Sequence, residues 1–460
     1  MRAKVIGREV FVPSPRPGVG VLGASYYTAA DGESLVSIHS LTSRSDTVDL
    51  AYVRYSDDGG DSWSAAQTWP TRFDVDAGTR RRHPRGGYVD PRTGRYVSMW
   101  TEGVLPQDDP LEGMWRWTMH YAVSEDGGRT DLANEQIIHE GEAYDAANHL
   151  PGVSVGKNCV MIGDLGQRPL TRSDGVILLP VQSSPTGPDG SYHNPGAGLT
   201  YTDCLVLMGS WRADGRLSWS ASERVVADPG RTTRGVVEPT IAELDDGSIL
   251  MVMRGSNDAR PQLPGYKWAS RSIDGGRTWT APEPWTYADG QPFHSPSSCS
   301  QLHAHESGRL LWIGNICDRN PRGNGPRYPV VIAEVDRRTG LVVRDTVAAI
   351  DTRQPGEHGS LIARPRPDLQ HLAAIVQLQG LGHEGDDQRL GDGLAAIDRQ
   401  RPVVIGLIAE PVGHEEMARR ALERTHHLRV GHTTAAQAHD QLDHARVGQV
   451  HRIVPSMPCG

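Results

Sequence analysis

Aromatic residues run out in this chain: 11 Trp, 13 Tyr and 3 Phe all lie at or before Tyr328, and residues 329–460 contain none. At the density of the preceding stretch roughly 11 would fall there, so chance is a poor account. Long apolar runs are also missing. No stretch approaches the roughly 18 consecutive apolar residues of a membrane-spanning helix, so no membrane span is expected. The residues after Met1 include basic side chains but no apolar segment of the signal-peptide kind, and a cytoplasmic location is expected. Basic residues are not in excess: the net charge is −9, which argues against a nucleic-acid partner. Cysteine is scarce. Cys159, Cys204, Cys299, Cys317 and Cys459 are odd in number and scattered, so free thiols are expected. The His and Cys spacings fit no zinc or EF-hand pattern, and neither a metal nor another cofactor is expected.

Glycine and proline are plentiful, at 52 and 32 residues, and strongly helical stretches are scarce before residue 400. That balance favours many short strands joined by tight turns. One short phrase recurs among them: Ser56-Asp57-Asp58-Gly59-Gly60-Asp61-Ser62-Trp63, Ser124-Glu125-Asp126-Gly127-Gly128-Arg129-Thr130, and Ser272-Ile273-Asp274-Gly275-Gly276-Arg277-Thr278-Trp279. The second copy ends in Asp131 where the others have Trp, and Asp214-Gly215-Arg216-Leu217-Ser218-Trp219 is a weak fourth. The intervals of roughly 60 to 90 residues signal a repeat architecture. Strand-like runs such as Leu50–Tyr55 and Met119–Val123 lead into the copies. Asp accepts from nearby backbone N–H groups, Gly takes positive φ and the hydroxyl bonds locally, so each phrase reads as a self-stapled hairpin turn. These residues specify scaffold.

The strand-and-turn grammar stops just after Thr352-Arg353-Gln354-Pro355-Gly356. From Asp351 onward the chain holds 10 of its 19 histidines and is rich in Arg, Gln, Ala and Gly, with a helix-compatible stretch at His414–Ala445. The division expected is therefore residues 1–355 as one folded unit and 356–460 as an aromatic-free tail. The tail is either a helical or disordered segment of unusual composition or the product of a shifted reading frame. We favour the shifted frame, because out-of-frame reading of a GC-rich gene gives such text. Resequencing the locus and finding an intact frame that matches the tail overturns that reading.

The repeated phrase resembles the Asp box of the sialidase (neuraminidase) superfamily. The resemblance implies an all-β, six-bladed β-propeller of four-stranded blades, its Asp boxes turned away from the active site and its last blade at risk of being incomplete here. A second layer of similarity spans about residues 20 to 350. Val237-Glu238-Pro239-Thr240, continuing through Asp245-Asp246-Gly247 to Met253-Arg254, is similar to the family hairpin in which a Glu polarises the nucleophilic Tyr and an Arg grips the substrate carboxylate. Glu238 and Arg254 take those roles by resemblance. The types suit the chemistry: a guanidinium fork matches a carboxylate, and a carboxylate draws a phenol proton. Asn324-Gly325-Pro326-Arg327-Tyr328-Pro329 resembles the approach to the next blade, making Arg327 a further substrate-binding Arg, with Arg319 and Arg322 as competitors. In Ser43-Arg44-Ser45-Asp46-Thr47-Val48-Asp49, the resemblance assigns Asp46 as acid/base, Asp49 as second choice, and Arg44 as a substrate contact.

Two departures stand out. The family signature Phe/Tyr-Arg-Ile-Pro is replaced by Val21-Leu22-Gly23-Ala24-Ser25, which has no Arg; Arg80, Arg81, Arg82 and Arg85 are nearby substitutes. The nucleophilic Tyr has no counterpart, because no Tyr follows Tyr328. Gly163-Asp164, Gly156-Lys157-Asn158, His193-Asn194 and Arg231–Gly235 are loop-borne groups suited to a central pocket, and His83 with Asp90 is a candidate acid/base pair. The expected activity is release of a terminal, acidic sugar from a glycan by a sialidase-like exo-glycosidase. The rival expectations are a propeller glycosidase working with two carboxylates on another sugar, and a carbohydrate-binding propeller without catalysis.

Overall fold

The structure is a computed structural model. It describes residues 12–351 except 17–18, 44–47, 107–114, 154–159, 164–166 and 306, together with four further strands near the ends of the chain. The first of these, β1, is Lys4–Gly7. A first sheet follows: β2 (Gly20–Tyr27), β3 (Leu35–Thr42), β4 (Leu50–Ser56) and β5 (Gln67–Trp69). The second holds β6 (Arg72–Val75), β7 (Gly78–Val89), β8 (Tyr96–Leu105), β9 (Trp115–Ser124) and β10 (Ala133–Gln136). The third holds β11 (Val160–Met161), β12 (Leu170–Thr171), β13 (Ile177–Ser183), β14 (Asp203–Trp211) and β15 (Leu217–Ala221). The fourth is β16 (Val237–Glu243), β17 (Ile249–Arg254), β18 (Lys267–Ser272) and β19 (Glu283–Pro284). The fifth is β20 (Gln301–Ala304), β21 (Leu310–Asn315), β22 (Val330–Asp336), β23 (Leu341–Val342) and β24 (Ala348–Asp351). In the sixth, β25 (Ser360–Arg366), β26 (Ala373–Gln379) and β27 (Val404–Gly406) join β1 in the order β1-β27-β26-β25.

Every sheet pairing is antiparallel, and strands of neighbouring sheets touch: β2 with β7, β9 with β11, β13 with β16, β16 with β20, β20 with β25 and β25 with β2. The result is the expected all-β six-bladed propeller. The sixth blade joins the two ends of the chain and is described through its backbone strands alone. Its strands β25, β26 and β27 fall in the stretch read as a tail from 356, whereas the helix-compatible stretch at 414–445 lies outside the described residues. Among the described residues no helix is long and apolar enough to cross a membrane.

Each blade packs against a neighbour on both faces, so its central strand has no wet side. Strands β3, β13, β17 and β21 are buried at every position, which is why Ile177-Leu178-Leu179 and Leu310-Leu311-Trp312-Ile313 read as unbroken apolar runs. Interfaces between blades hold the core. Met119, Tyr121, Leu179, Leu205 and Trp219 fill the one between the second and third sheets. Leu178, Val206, Met251 and Trp268 fill the next, and Val252, Trp285, Trp312 and Val331 the one after. Each large apolar side chain so buried contributes roughly 1.5–3 kcal/mol relative to exposure.

The three main copies of the phrase join the last two strands of their blades: β4 to β5, β9 to β10 and β18 to β19. In the first, Ser56 Oγ and Ser62 Oγ donate to the Asp58 carboxylate at 2.7 and 2.6 Å, and Trp63 Nε1 donates to the Gly60 carbonyl at 3.0 Å. The hydrogen bonds from Ser62 and Ser56 hold the Asp58 carboxyl down at about 2. Asp126 and Asp274 are bound in the same way by Ser124 and Thr130 and by Ser272 and Thr278. Gly59 and Gly60 take φ of 68° and 91°, the region glycine enters at no steric cost. The weak fourth copy occupies the equivalent turn between β14 and β15.

Candidate active site

Because strands alternate in direction, the Asp boxes mark one end of the propeller, and the opposite end receives the longer connections. These are the connections from β3 to β4, β13 to β14, β17 to β18 and β21 to β22, and the segments leading into β11, β16 and β20. Polar residues gather at that end, as expected for loops carried on a rigid scaffold.

Glu238 is the centre of the cluster. The register of β16 against β17 shifts between Val237 and Thr240, and Glu238 in this irregularity has φ of 49°. A left-handed backbone at a residue other than Gly, Asn or Asp is costly and collects at functional sites, as do bulges. The Glu238 backbone N–H donates to Gln182 Oε1 at 2.9 Å, which ties it to the third blade. Gly163 faces its side chain so closely that a Cβ there lies 2.2 Å from Glu238 Cγ. Gly163→Ala is therefore expected to displace the Glu238 carboxylate while the protein stays folded, checked by a crystal structure of the variant alongside circular dichroism; an unmoved carboxylate overturns the placement.

Arg254 ends β17 and holds Glu238. Its Nη1 lies 2.9 Å from Glu238 Oε2, and both side chains are largely buried. Nε donates to Ser297 Oγ at 2.7 Å and Nη2 to Asn324 Oδ1 at 2.9 Å, so three blade-top segments converge on one guanidinium. Arg327 uses the same two residues through their backbones: Nη2 donates to the Ser297 carbonyl at 3.0 Å and Nε to the Asn324 carbonyl at 3.2 Å. Asn257 secures this loop by accepting from the Gly323 N–H at 2.7 Å and donating to the Pro321 carbonyl at 2.9 Å. Beneath lies Lys267, fully buried, directly across the β17–β18 ladder from Arg254, with Nζ donating to the Ser298 carbonyl.

The structure thus brings Glu238, Arg254 and Arg327 together. Arg44 and Asp46 lie in 44–47, outside the described residues. Gly156, Lys157, Asn158 and Asp164 also lie outside the described residues. Asp49 closes the 43–49 loop, accepting from the Ser43 N–H at 2.8 Å. The substitutes weighed for the missing Arg divide: Arg82 pairs with Glu102 at 2.6 Å and covers Trp100 and Phe73, Arg80 stands 3.8 Å from Glu102, and Arg81 reaches the Val48 carbonyl at 3.5 Å. Arg85 is buried beside His83.

The pairing of His83 with Asp90 is overturned. His83 is buried against Trp117, its basicity pushed well down by desolvation, while Asp90 accepts from Thr93, Thr171 and Trp211 at a turn. They share strand β7 and its end, but the ladder separates their partners. Of the loop Arg231–Gly235, Arg231 pairs outward with Glu283 at 2.8 Å, and Arg234 donates to Thr200 Oγ1 at 2.6 Å. Lys267, Gln182, Ser297 and Asn324 were not singled out from sequence. The pattern of β18 gives no signal for Lys267, which shares its strand face with Ala269 and Arg271. Among the described residues no group of three or more His, Cys, Asp or Glu side chains is placed to hold a metal ion.

Comparison with known proteins bears on the fold. A protein of unknown function from Dyadobacter fermentans superposes with a TM-score of 0.52 at 14% identity, over 82% of this chain and 95% of that one. A Hadza microbial sialidase superposes with a TM-score of 0.53 at 16% identity, over 78% of this chain and 63% of that one, so the match spans less than two thirds of that sialidase. An α-L-arabinofuranosidase from Fusarium graminearum gives 0.47 at 14% identity, over 81% and 92%. No curated protein matches. The model of the BNR repeat-like domain matches residues 52–349, and the chain belongs to that family.

Proposed function

We propose that this protein is a propeller glycoside hydrolase that releases a terminal acidic sugar from a glycan. The observation that carries the reading is the Glu238–Arg254 pair on its bulge, with Arg327 fastened to the same two residues as Arg254. A carboxylate at the meeting point of several blades, paired with one guanidinium group and with a second fastened to the same anchoring residues, suits a reaction that passes through an oxocarbenium-like transition state on a sugar carrying its own negative charge. In this reading Arg254 and Arg327, with Arg44, bind the anionic sugar. Glu238 supplies negative charge at the reacting carbon's side of the site, and Asp46, on the 43–49 loop, protonates the leaving oxygen.

The test is sugar release by the full chain from fluorogenic 4-methylumbelliferyl glycosides: a sialoside, a glucuronide and an arabinofuranoside. Release from an acidic glycoside in preference to the arabinofuranoside is expected. Release from the arabinofuranoside alone overturns the acidic-sugar reading. No release from any overturns the enzyme reading and leaves a carbohydrate-binding propeller.

A further inference from the structure

We propose that Lys267 determines specificity in this site: it is a buried cation that acts through the Ser297–Cys299 segment, and its charge is counterbalanced when an anionic group of the substrate enters beside Arg254 and Arg327. The inference rests on the reading of this end of the propeller as a sugar-acid site. It adds a residue that touches neither Glu238 nor, in this geometry, the sugar.

The first observation is register. Arg254 and Lys267 are direct cross-strand partners on β17 and β18, and like charges so placed repel. The second is burial: Lys267 is 0% exposed, in a position where an apolar side chain of similar volume packs without a charge to desolvate. The third is connection. Nζ donates to the Ser298 carbonyl and lies 3.4 Å from Ser298 Oγ, and the adjoining Ser297 is the residue both arginines hold. Ser298 is itself pinned, donating to Asn315 Oδ1 at 2.9 Å. The groups facing Lys267 are Arg254 on β17, Glu238 on β16, Cys299 before β20 and Arg327 before β22, and it acts in turn on Cys317, whose other charged neighbours are Asp318 and Arg319. Close around it, two guanidinium groups meet one carboxylate, so the resting site favours a neutral lysine and an arriving anion favours a charged one. Desolvation, opposed by Cys299 and reinforced by Arg254, pushes Lys267 down to about 7. The sign follows: the protonated form binds an anion better, so affinity falls as pH rises through that value.

The experiment is calorimetric titration of the full chain with N-acetylneuraminic acid, glucuronic acid and neutral galactose between pH 6 and 8.5. The expected result is acid affinity about tenfold weaker at pH 8.5 than at pH 6, equivalent to about 1.4 kcal/mol of binding free energy, with net proton uptake near pH 7.5. In Lys267→Met and Lys267→Gln, acid binding at pH 6 falls about tenfold and the pH dependence flattens. Galactose binding is unaltered, and thermal stability is equal or higher because the buried ammonium group is gone. A wild-type acid affinity that does not change with pH overturns the inference, as does absence of sugar-acid binding or equal loss for acid and galactose in the variants. The two readings separate cleanly. Sugar release with pH-independent acid binding overturns the role of Lys267 alone, whereas pH-dependent acid binding with no release supports it and overturns the hydrolase.

Discussion

Glu238→Gln is expected to lower kcat/KM for fluorogenic glycoside release by about 10³-fold or more, roughly 4 kcal/mol of lost transition-state stabilisation. The substitution keeps shape and an acceptor oxygen for Arg254, and removes the negative charge. Arg254 keeps Ser297 and Asn324, so the fold is expected to survive with an unfolding midpoint close to that of the parent protein. Paired measurements of release and of thermal unfolding by circular dichroism check it. Turnover within a few-fold of the parent protein sinks the assignment of Glu238 as the reacting carboxylate, because no rearrangement of neutral groups restores a charge of that kind at this point. Loss of turnover with loss of fold points instead to a scaffold role.

Arg254→Met has the largest expected effect on stability. It leaves the largely buried Glu238 carboxylate without its cation and frees Ser297 and Asn324 together. Breaking one side of a buried pair costs about 3–5 kcal/mol, and for a chain of this size the midpoint is expected to fall by roughly 3–5 °C. Arg254→Lys should recover little, because an ammonium group cannot reach three partners in a plane as the guanidinium does. Glu238→Gln combined with Arg254→Met should cost less than the sum of the single changes, since the first removes the charge that the second strands. Denaturant unfolding of the two single variants and the double variant measures this directly. Strict additivity is the outcome that denies the coupling.

The Asp boxes were readable in the sequence because everything that makes them is local. In each, Asp58, Asp126 or Asp274 finds both hydroxyl partners within four residues, so one phrase carries its whole geometry. The Glu238–Arg254 pair was readable for a related reason: both sit on one hairpin and differ only by the strand each belongs to. The choice among Arg319, Arg322 and Arg327 was not readable, since it turns on which guanidinium reaches Ser297 on another segment. Nor was the place of Lys267, whose register partner Arg254 identifies a conflict only once the ladder is known. Gly163 and Gln182 reach Glu238 from the third blade, more than 50 residues away, where no spacing rule links them.

By itself the sequence determined the repeating hairpin, the all-β class and the placing of Glu238 and Arg254 on one hairpin, because those rest on short-range hydrogen bonding and on strands buried on both faces. Tertiary structure alone decided which residues share a site. That grouping comes from the ring of blades, which brings separate loops to one end and buries their charges against one another. It also set the left-handed φ of Glu238 and the burial of Lys267, which arise where neighbouring blades constrain the backbone and exclude water.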